Sequence, residues 1–128
     1  MLRWARRRSL WVLPFGTTCC AADLGAIFAP PYDLQRFGVR LVLDPALADV
    51  LVVAGRVTRA LEPVLRRTFD DMPKPSRVVA FGTCACSGGV FDTEAVVGGA
   101  DEVVPVDTYL PGCPPEPEAL QEALQQLF

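Results

Sequence analysis

Five cysteines and no histidine define the chemistry open to this chain. The cysteines are Cys19, Cys20, Cys84, Cys86 and Cys113. Without histidine, Ser-His-Asp and Cys-His nucleophilic sites, His-containing zinc sites and Rieske centres are excluded together. An odd cysteine count without a secretory signal argues against a disulfide framework and for a reducing compartment. Thiolate ligation is what is left. Four thiolates suit a [4Fe–4S] cluster or a tetrahedral zinc. Structural zinc sites carry cysteine pairs that close small loops. Here one adjacent pair is followed by Cys84 after 64 residues and Cys113 after a further 29. Adjacent cysteines rarely serve one small ion, whereas a cluster offers separate irons to neighbouring thiolates. Iron–sulfur is favoured over zinc.

The last of these cysteines lies in Tyr109-Leu110-Pro111-Gly112-Cys113-Pro114-Pro115. Its prolines fix φ and remove N–H donors, so the loop is stiff. A Cys-Pro step also ends the ligand run of bacterial ferredoxins. Cys86 has three readings: a ligand in place of one of the tandem pair, an S–H donor beside the cluster, or a packed thiol. Gly82, Gly88 and Gly89 have two. They bring backbone N–H groups toward cluster sulfurs, or they only let the chain turn. Phosphate binding is the weaker reading, because neither G-x-G-x-x-G nor a Walker lysine is present.

The elements that must position these residues alternate. Ser9 to Pro14 reads as a short buried strand, and Ala21 to Phe28 as a helix stopped by Pro30-Pro31. Tyr32 to Phe37 reads as a further helical turn and Val39 to Leu43 as a strand closed by Asp44-Pro45. Asp49 to Ala54 is the clearest strand, an unbroken apolar run suited to a central parallel position. A helix is expected from Arg59 to Asp70, capped by Thr58 and tolerating Pro63 near its start. Arg77 to Phe81 and Val103 to Val106 read as strands, and Gly82 to Gly89 as a loop. Glu116 to Phe128 reads as an amphipathic helix with Leu120, Leu124 and Leu127 on one face. The fold expected is a single-domain α/β protein, a doubly wound, mostly parallel sheet of flavodoxin-like type. Residues 1–14 form a basic, aromatic head and the first strand, and residues 15–128 the binding domain. Binding crevices in such sheets lie beyond the carboxyl ends of the strands. Cys19, Cys20, Cys84 and Cys113 all fall in loops at that edge.

Composition limits the partners. Arg3, Arg6, Arg7 and Arg8 hold four of the twelve basic residues, leaving eight against fifteen acidic. An acidic body argues against nucleic acid. The head, with Leu2, Trp4 and Trp11 among its arginines, suits an anionic membrane surface or a partner. No apolar run reaches the ~18–20 residues of a membrane-spanning helix. The apolar half of the composition fits a hydrophobic sheet core or surface buried against partner subunits.

From Thr17 onward the sequence resembles one family: the cluster-bearing small subunit of respiratory complex I (the B, or PSST, subunit) and its relatives, the small subunits of energy-converting membrane [NiFe] hydrogenases. The resemblance runs through Cys19-Cys20, Tyr32 to Gly38, Ala48 to Thr58, Met72-Pro73-Lys74-Pro75, Gly82-Thr83-Cys84-Ala85, and Val104-Pro105-Val106-Asp107 through Pro115. It implies that Cys19, Cys20, Cys84 and Cys113 hold one [4Fe–4S] cluster. Ser87-Gly88-Gly89-Val90-Phe91 and Gly98-Gly99 are similar to the hydrogenase branch. That branch usually has two cysteines three apart at the first site, whereas this chain has Thr17 there and the tandem pair of the complex I form. Asp23 stands where the family usually has a glutamate, and is a candidate for proton coupling. Cys86 stands where the complex I pattern tends to have an asparagine.

The function this implies is electron transfer in a complex I-like oxidoreductase, from a ferredoxin-like iron–sulfur subunit to an acceptor at the interface with a larger catalytic subunit. Quinone is the acceptor in the complex I form, and a metal centre in the hydrogenase form. Membrane subunits complete the partners, and the expected location is peripheral, at the cytoplasmic face of the cell membrane. A zinc-stabilised assembly module is the reading from another class.

Overall fold

Hydrophobic runs build the sheet. The computed structural model describes residues 4–5, 8–16, 19–30, 32–74, 76–89, 94–113 and 115–127, and of Cys19 the backbone alone. Expectations for Leu2, Arg3, Arg6, Arg7, Thr17, Pro31, Pro75, Val90, Phe91, Pro114 and Phe128 therefore lie outside the described residues. Among the described residues the strands are β1 (Leu10–Gly16), β2 (Val39–Leu41), β3 (Val50–Ala54), β4 (Arg77–Phe81) and β5 (Thr108–Leu110). They form one sheet in the order β2-β1-β3-β4-β5, with every pairing parallel. That is the flavodoxin-like order of a doubly wound sheet. The helices are α1 (Cys19–Ile27), α2 (Glu62–Asp70), α3 (Thr83–Ser87) and α4 (Pro117–Gln126), with 3₁₀ turns at Leu34–Phe37, Pro45–Leu47 and Ala100–Glu102.

Strand β3 is buried at all five positions, because helices cover both faces of the sheet. Val50, Val52 and Ala54 join Leu10, Val12, Val79 and Phe81 under Leu24 and Ile27 of α1 and Leu120 and Leu124 of α4. Leu51 and Val53 face the other way, with Leu13, Val78 and Ala80, against Leu65 of α2, Met72, Val97 and Ala100. Each such Val, Leu or Ile contributes roughly 1.5–3 kcal/mol by leaving water.

Pro14 sits inside β1, paired with Val52. The N–H of Leu10 and the C=O of Val12 bond toward the β2 side, and the C=O of Trp11 toward β3. By this alternation Pro14 faces β2, which has already ended at Leu41. Its missing N–H therefore breaks no ladder bond.

Five local expectations are corrected. The last strand is Thr108–Leu110, not Val103 to Val106. Val103 and Val104 are buried, but they follow a 3₁₀ turn and precede Pro105, and the chain joins β4 only where Asp107 N–H donates to the Val78 carbonyl. Helix α2 begins at Glu62 rather than Arg59, with Pro63 in its first turn. Thr58 does not cap it with its side chain; its backbone carbonyl accepts from Leu61 and Glu62 N–H while it bridges to Val96. The stretch expected as a loop from Gly82 to Gly89 contains α3, and Cys19 and Cys20 open α1 rather than preceding it.

Trp4 of the head is exposed, with the Arg8 guanidinium 4.9 Å from its ring centroid. The Arg8 carbonyl packs on Gly38, at the amino edge of the sheet. Among the described residues no helix is long and apolar enough to cross a membrane.

Candidate metal centre

Three segments meet at the carboxyl edge. β1 ends at Gly16, and α1 starts at Cys19. Cys20 is 2% exposed and belongs to the core under α1 and α4. β4 ends at Phe81, and Gly82 turns the chain into α3, where Cys84 is half-buried. β5 ends at Leu110, and Pro111-Gly112 lead to an exposed Cys113.

Close approach explains two of the glycines. Gly82 has φ 102° and ψ 154°, a region that side chains rarely enter. A Cβ there would stand 2.7 Å from the Cys20 sulfur, so the first and second segments touch at this point. Gly89, at φ 62°, would bring a Cβ 3.0 Å from the Cys84 sulfur. The two glycines leave room for sulfur where any other residue would fill it. Gly82 N–H donates to the Leu110 carbonyl and Gly88 N–H to the Cys84 carbonyl. Both donors are spent on the backbone, so at these two positions the turning role is the one seen.

The second and third segments are tied directly. Gly82 N–H bonds the Leu110 carbonyl at 2.8 Å, extending the β4–β5 ladder by one rung. Thr83 then contacts Gly112 three times. Its N–H donates to the Gly112 carbonyl at 2.9 Å, its hydroxyl donates to the same carbonyl at 3.1 Å, and its oxygen accepts from Gly112 N–H at 3.0 Å. Thr83 and Gly112 each precede a candidate cysteine by one residue. On the α4 side of this loop lies an open concavity of about 370 Å³, lined by Leu110, Pro111, Gly112 and Pro115 among others.

Cys86 goes elsewhere. It is half-buried against the core of the α2 face, and its thiol donates to the Ala80 carbonyl at 3.6 Å. Burial pushes this thiol up from the ordinary cysteine range; the Asp101 charge adds to the rise, and a hydrogen bond with the Leu110 backbone opposes it. Asp23 is half-buried on α1, one turn beyond Cys19.

Among the described residues no three Cys, Asp or Glu side chains stand close enough to hold one metal ion. The Cys19 side chain is not among them. The thiols of Cys20, Cys84 and Cys113 are spread across three neighbouring segments, and Cys20 and Cys84 are each flanked by a glycine that leaves space at the sulfur. A soft, thiolate-only donor set of this spread fits a multi-iron cluster, whose ligands bind separate irons. Sequence reasoning missed Thr83. Its partner is 29 residues away, and no local pattern marks it.

Residues 18–127 match the model of the family described as NADH ubiquinone oxidoreductase, 20 Kd subunit. The B subunit of the NADH-quinone oxidoreductase of Geobacter sp. (strain M21) is 50% identical over 127 residues, covering 99% of this chain and 75% of the relative. That of Desulfovibrio desulfuricans (strain ATCC 27774) is 49% identical over 127 residues, covering 99% and 69%. Among solved structures, a chain of the membrane-bound sulfane sulfur reductase, an archaeal respiratory membrane complex, superposes with a TM-score of 0.91 at 33% identity, covering 98% of this chain and 72% of that one. The parallel sheet, the cysteine-bearing edge and these likenesses lead to one conclusion: the chain belongs to the 20 kDa subunit family of NADH ubiquinone oxidoreductase.

Proposed function

We propose that this chain is the electron-carrying subunit of a complex I-like NADH- or ferredoxin:quinone oxidoreductase, and that Cys19, Cys20, Cys84 and Cys113 hold one [4Fe–4S] cluster in residues 15–128. The observation that supports it best is the meeting of the three segments: Gly82 against the Cys20 sulfur, and Thr83 bonded to Gly112. When bound, such a cluster takes up and gives back single electrons.

The chain's own work is to hold and shield. The Cys20 sulfur is closed off from water by the core under α1 and α4. Cys84 is set by a short helix anchored through Ala85, which is fully buried. Cys113 is left at the surface, the side from which a partner subunit approaches. No general acid or base on this chain is needed for that role. Asp23, half-buried on α1 beside the tandem pair, is the carboxylate for any proton uptake coupled to reduction.

In this reading the partners are a larger catalytic subunit over the Cys113 edge, a ferredoxin-like iron–sulfur subunit as donor, and membrane subunits. Quinone is the acceptor at the subunit interface, and the location is peripheral, at the cytoplasmic face of the cell membrane. A second reading, resting on the resemblance of the Gly88-Gly89 and Gly98-Gly99 stretches to the hydrogenase branch, is a subunit of an energy-converting complex of the [NiFe] hydrogenase-related type, whose acceptor is a metal centre. The likeness to a chain of a sulfane sulfur reductase supports only that the chain works in a respiratory membrane complex. Identity near 50% to the NADH-quinone oxidoreductase relatives weighs toward quinone.

The test is iron and acid-labile sulfide content with low-temperature EPR, on the chain purified without oxygen with its large partner. About four irons and four sulfides per chain, with a reducible signal, are expected for this cluster type. Zinc, or no metal in a folded complex, would overturn the proposal. A large partner with two Cys-x-x-Cys pairs for nickel would move it to the second reading.

A further inference from the structure

We infer that Thr83 is a positioning residue that fixes the separation of the Cys84 and Cys113 thiolates. This rests on the cluster reading above. The ladder between β4 and β5 reaches its last rung at Gly82 N–H and the Leu110 carbonyl. Pro111 follows and has no N–H to continue it. From there the chain carrying Cys113 would leave the sheet with nothing to hold it, but Thr83 takes over. One backbone bond and two side-chain bonds join it to Gly112, across 29 residues of sequence.

Only a hydroxyl can make both side-chain bonds, since it donates one proton and accepts at the same oxygen. It thereby satisfies the N–H and the C=O of a single glycine. Threonine adds a branched Cβ, which limits χ1 and holds the oxygen in place. The Ser87 hydroxyl donates to the Thr83 carbonyl at 3.3 Å, tying the same residue into α3. Cys84 and Cys113 are each one residue beyond this clasp, so their spacing is set before any metal enters. Ligands held ready lose less freedom on binding and hold their group more tightly. Neither alanine nor valine at this position could do the same; either would keep the backbone bond to the Gly112 carbonyl and leave the half-buried Gly112 N–H to find water.

The experiment compares Thr83→Val, Thr83→Ala and Thr83→Ser with wild type, in the complex purified without oxygen. The measurements are the rate of iron loss to a chelator, the cluster potential and the EPR line shape. Two hydrogen bonds at roughly 0.5–1.5 kcal/mol each correspond to about a 5- to 150-fold change, and tenfold lies in the lower part of that range. Thr83→Val and Thr83→Ala should lose iron about tenfold faster, with a shifted potential and broadened EPR lines, while Thr83→Ser stays within about twofold of wild type. A lowered thermal midpoint with wild-type potential and line shape would show a merely structural role and overturn the inference. So would a Thr83→Ser variant that behaves like Thr83→Val. If Thr83→Val does not fold, Thr83→Ala decides, since it removes the hydroxyl and adds no bulk. A wild-type complex without iron would instead overturn the cluster reading itself.

Discussion

Cys84 and Cys86 are two residues apart on one five-residue helix, yet their sulfurs have different surroundings. Two steps along an α-helix turn the side chain by roughly 200°. The Cys84 sulfur faces Gly89, at the carboxyl edge. The Cys86 sulfur faces Ala80 and the core of the α2 face. The first lies among glycines that leave room for a ligand. The second fills space and satisfies a carbonyl. What separates a ligand candidate from a packed thiol here is direction, and spacing in sequence does not reveal it.

The largest test of this contrast exchanges sulfur for oxygen at each position. Cys84→Ser should lose nearly all iron from the anaerobic complex, as should Cys113→Ser. Cys86→Ser should keep iron and sulfide close to wild type. Iron lost in Cys86→Ser and kept in Cys19→Ser would reverse the ligand assignment. Close behind comes Gly82→Ala. A non-glycine residue in that backbone region costs on the order of 1–3 kcal/mol, and overpacking against a fully enclosed sulfur a further ~1–3 kcal/mol. Denaturant unfolding should register the sum as a lowered midpoint. An unchanged midpoint would mean that the space at Gly82 is not as tight as the 2.7 Å between an added Cβ and the Cys20 sulfur indicates. Smaller again is Cys86→Ala, which removes one weak hydrogen bond and a small packed group. A loss of about 1–2 kcal/mol with iron unchanged is the expected result.

Much of this arrangement was legible beforehand because its signals are local. Val50–Ala54 and Val78–Phe81 are continuous apolar runs, and the strands that hold them, β3 and β4, are interior strands with one residue or none misplaced at their ends. Leu120 and Leu124 repeat at helical spacing, and both are buried. The edge strand β5 was not legible. Thr108, Tyr109 and Leu110 are partly or fully exposed and too few to show alternation, while Val103 and Val104 look more strand-like and are buried without a ladder. Helix α3 was hidden by its glycine-flanked, cysteine-rich sequence. Its stability comes from Ala85 in the core and the Gly88 cap, not from propensity. The Thr83–Gly112 clasp was beyond reach for the same reason: it exists only once β4 and β5 are side by side.

The smallest expected effect lies on the Cys86 side, at Tyr109. Its hydroxyl donates to Asp101 Oδ2 at 3.3 Å, and Ala80, its partner across the β4–β5 pairing, is the residue whose carbonyl accepts from Cys86. Partial loss of solvent raises the Tyr109 pKa above its ordinary value of 10.0, and the Asp101 charge and hydrogen bond raise it further. A folded pKa above the unfolded one means that the unfolded chain gives up this proton first as pH rises. The stabilisation is therefore complete below pH 10.0 and is lost as pH climbs through the folded value. Phenolate absorbance in an alkaline titration should show one late-titrating tyrosine, absent in Tyr109→Phe. In Asp101→Asn its midpoint should move back toward the ordinary value, because a neutral amide no longer repels the phenolate. If the midpoint stays put, Asp101 does not govern this edge, and the acidic backing that distinguishes the Cys86 side from the Cys84 side is removed from the contrast.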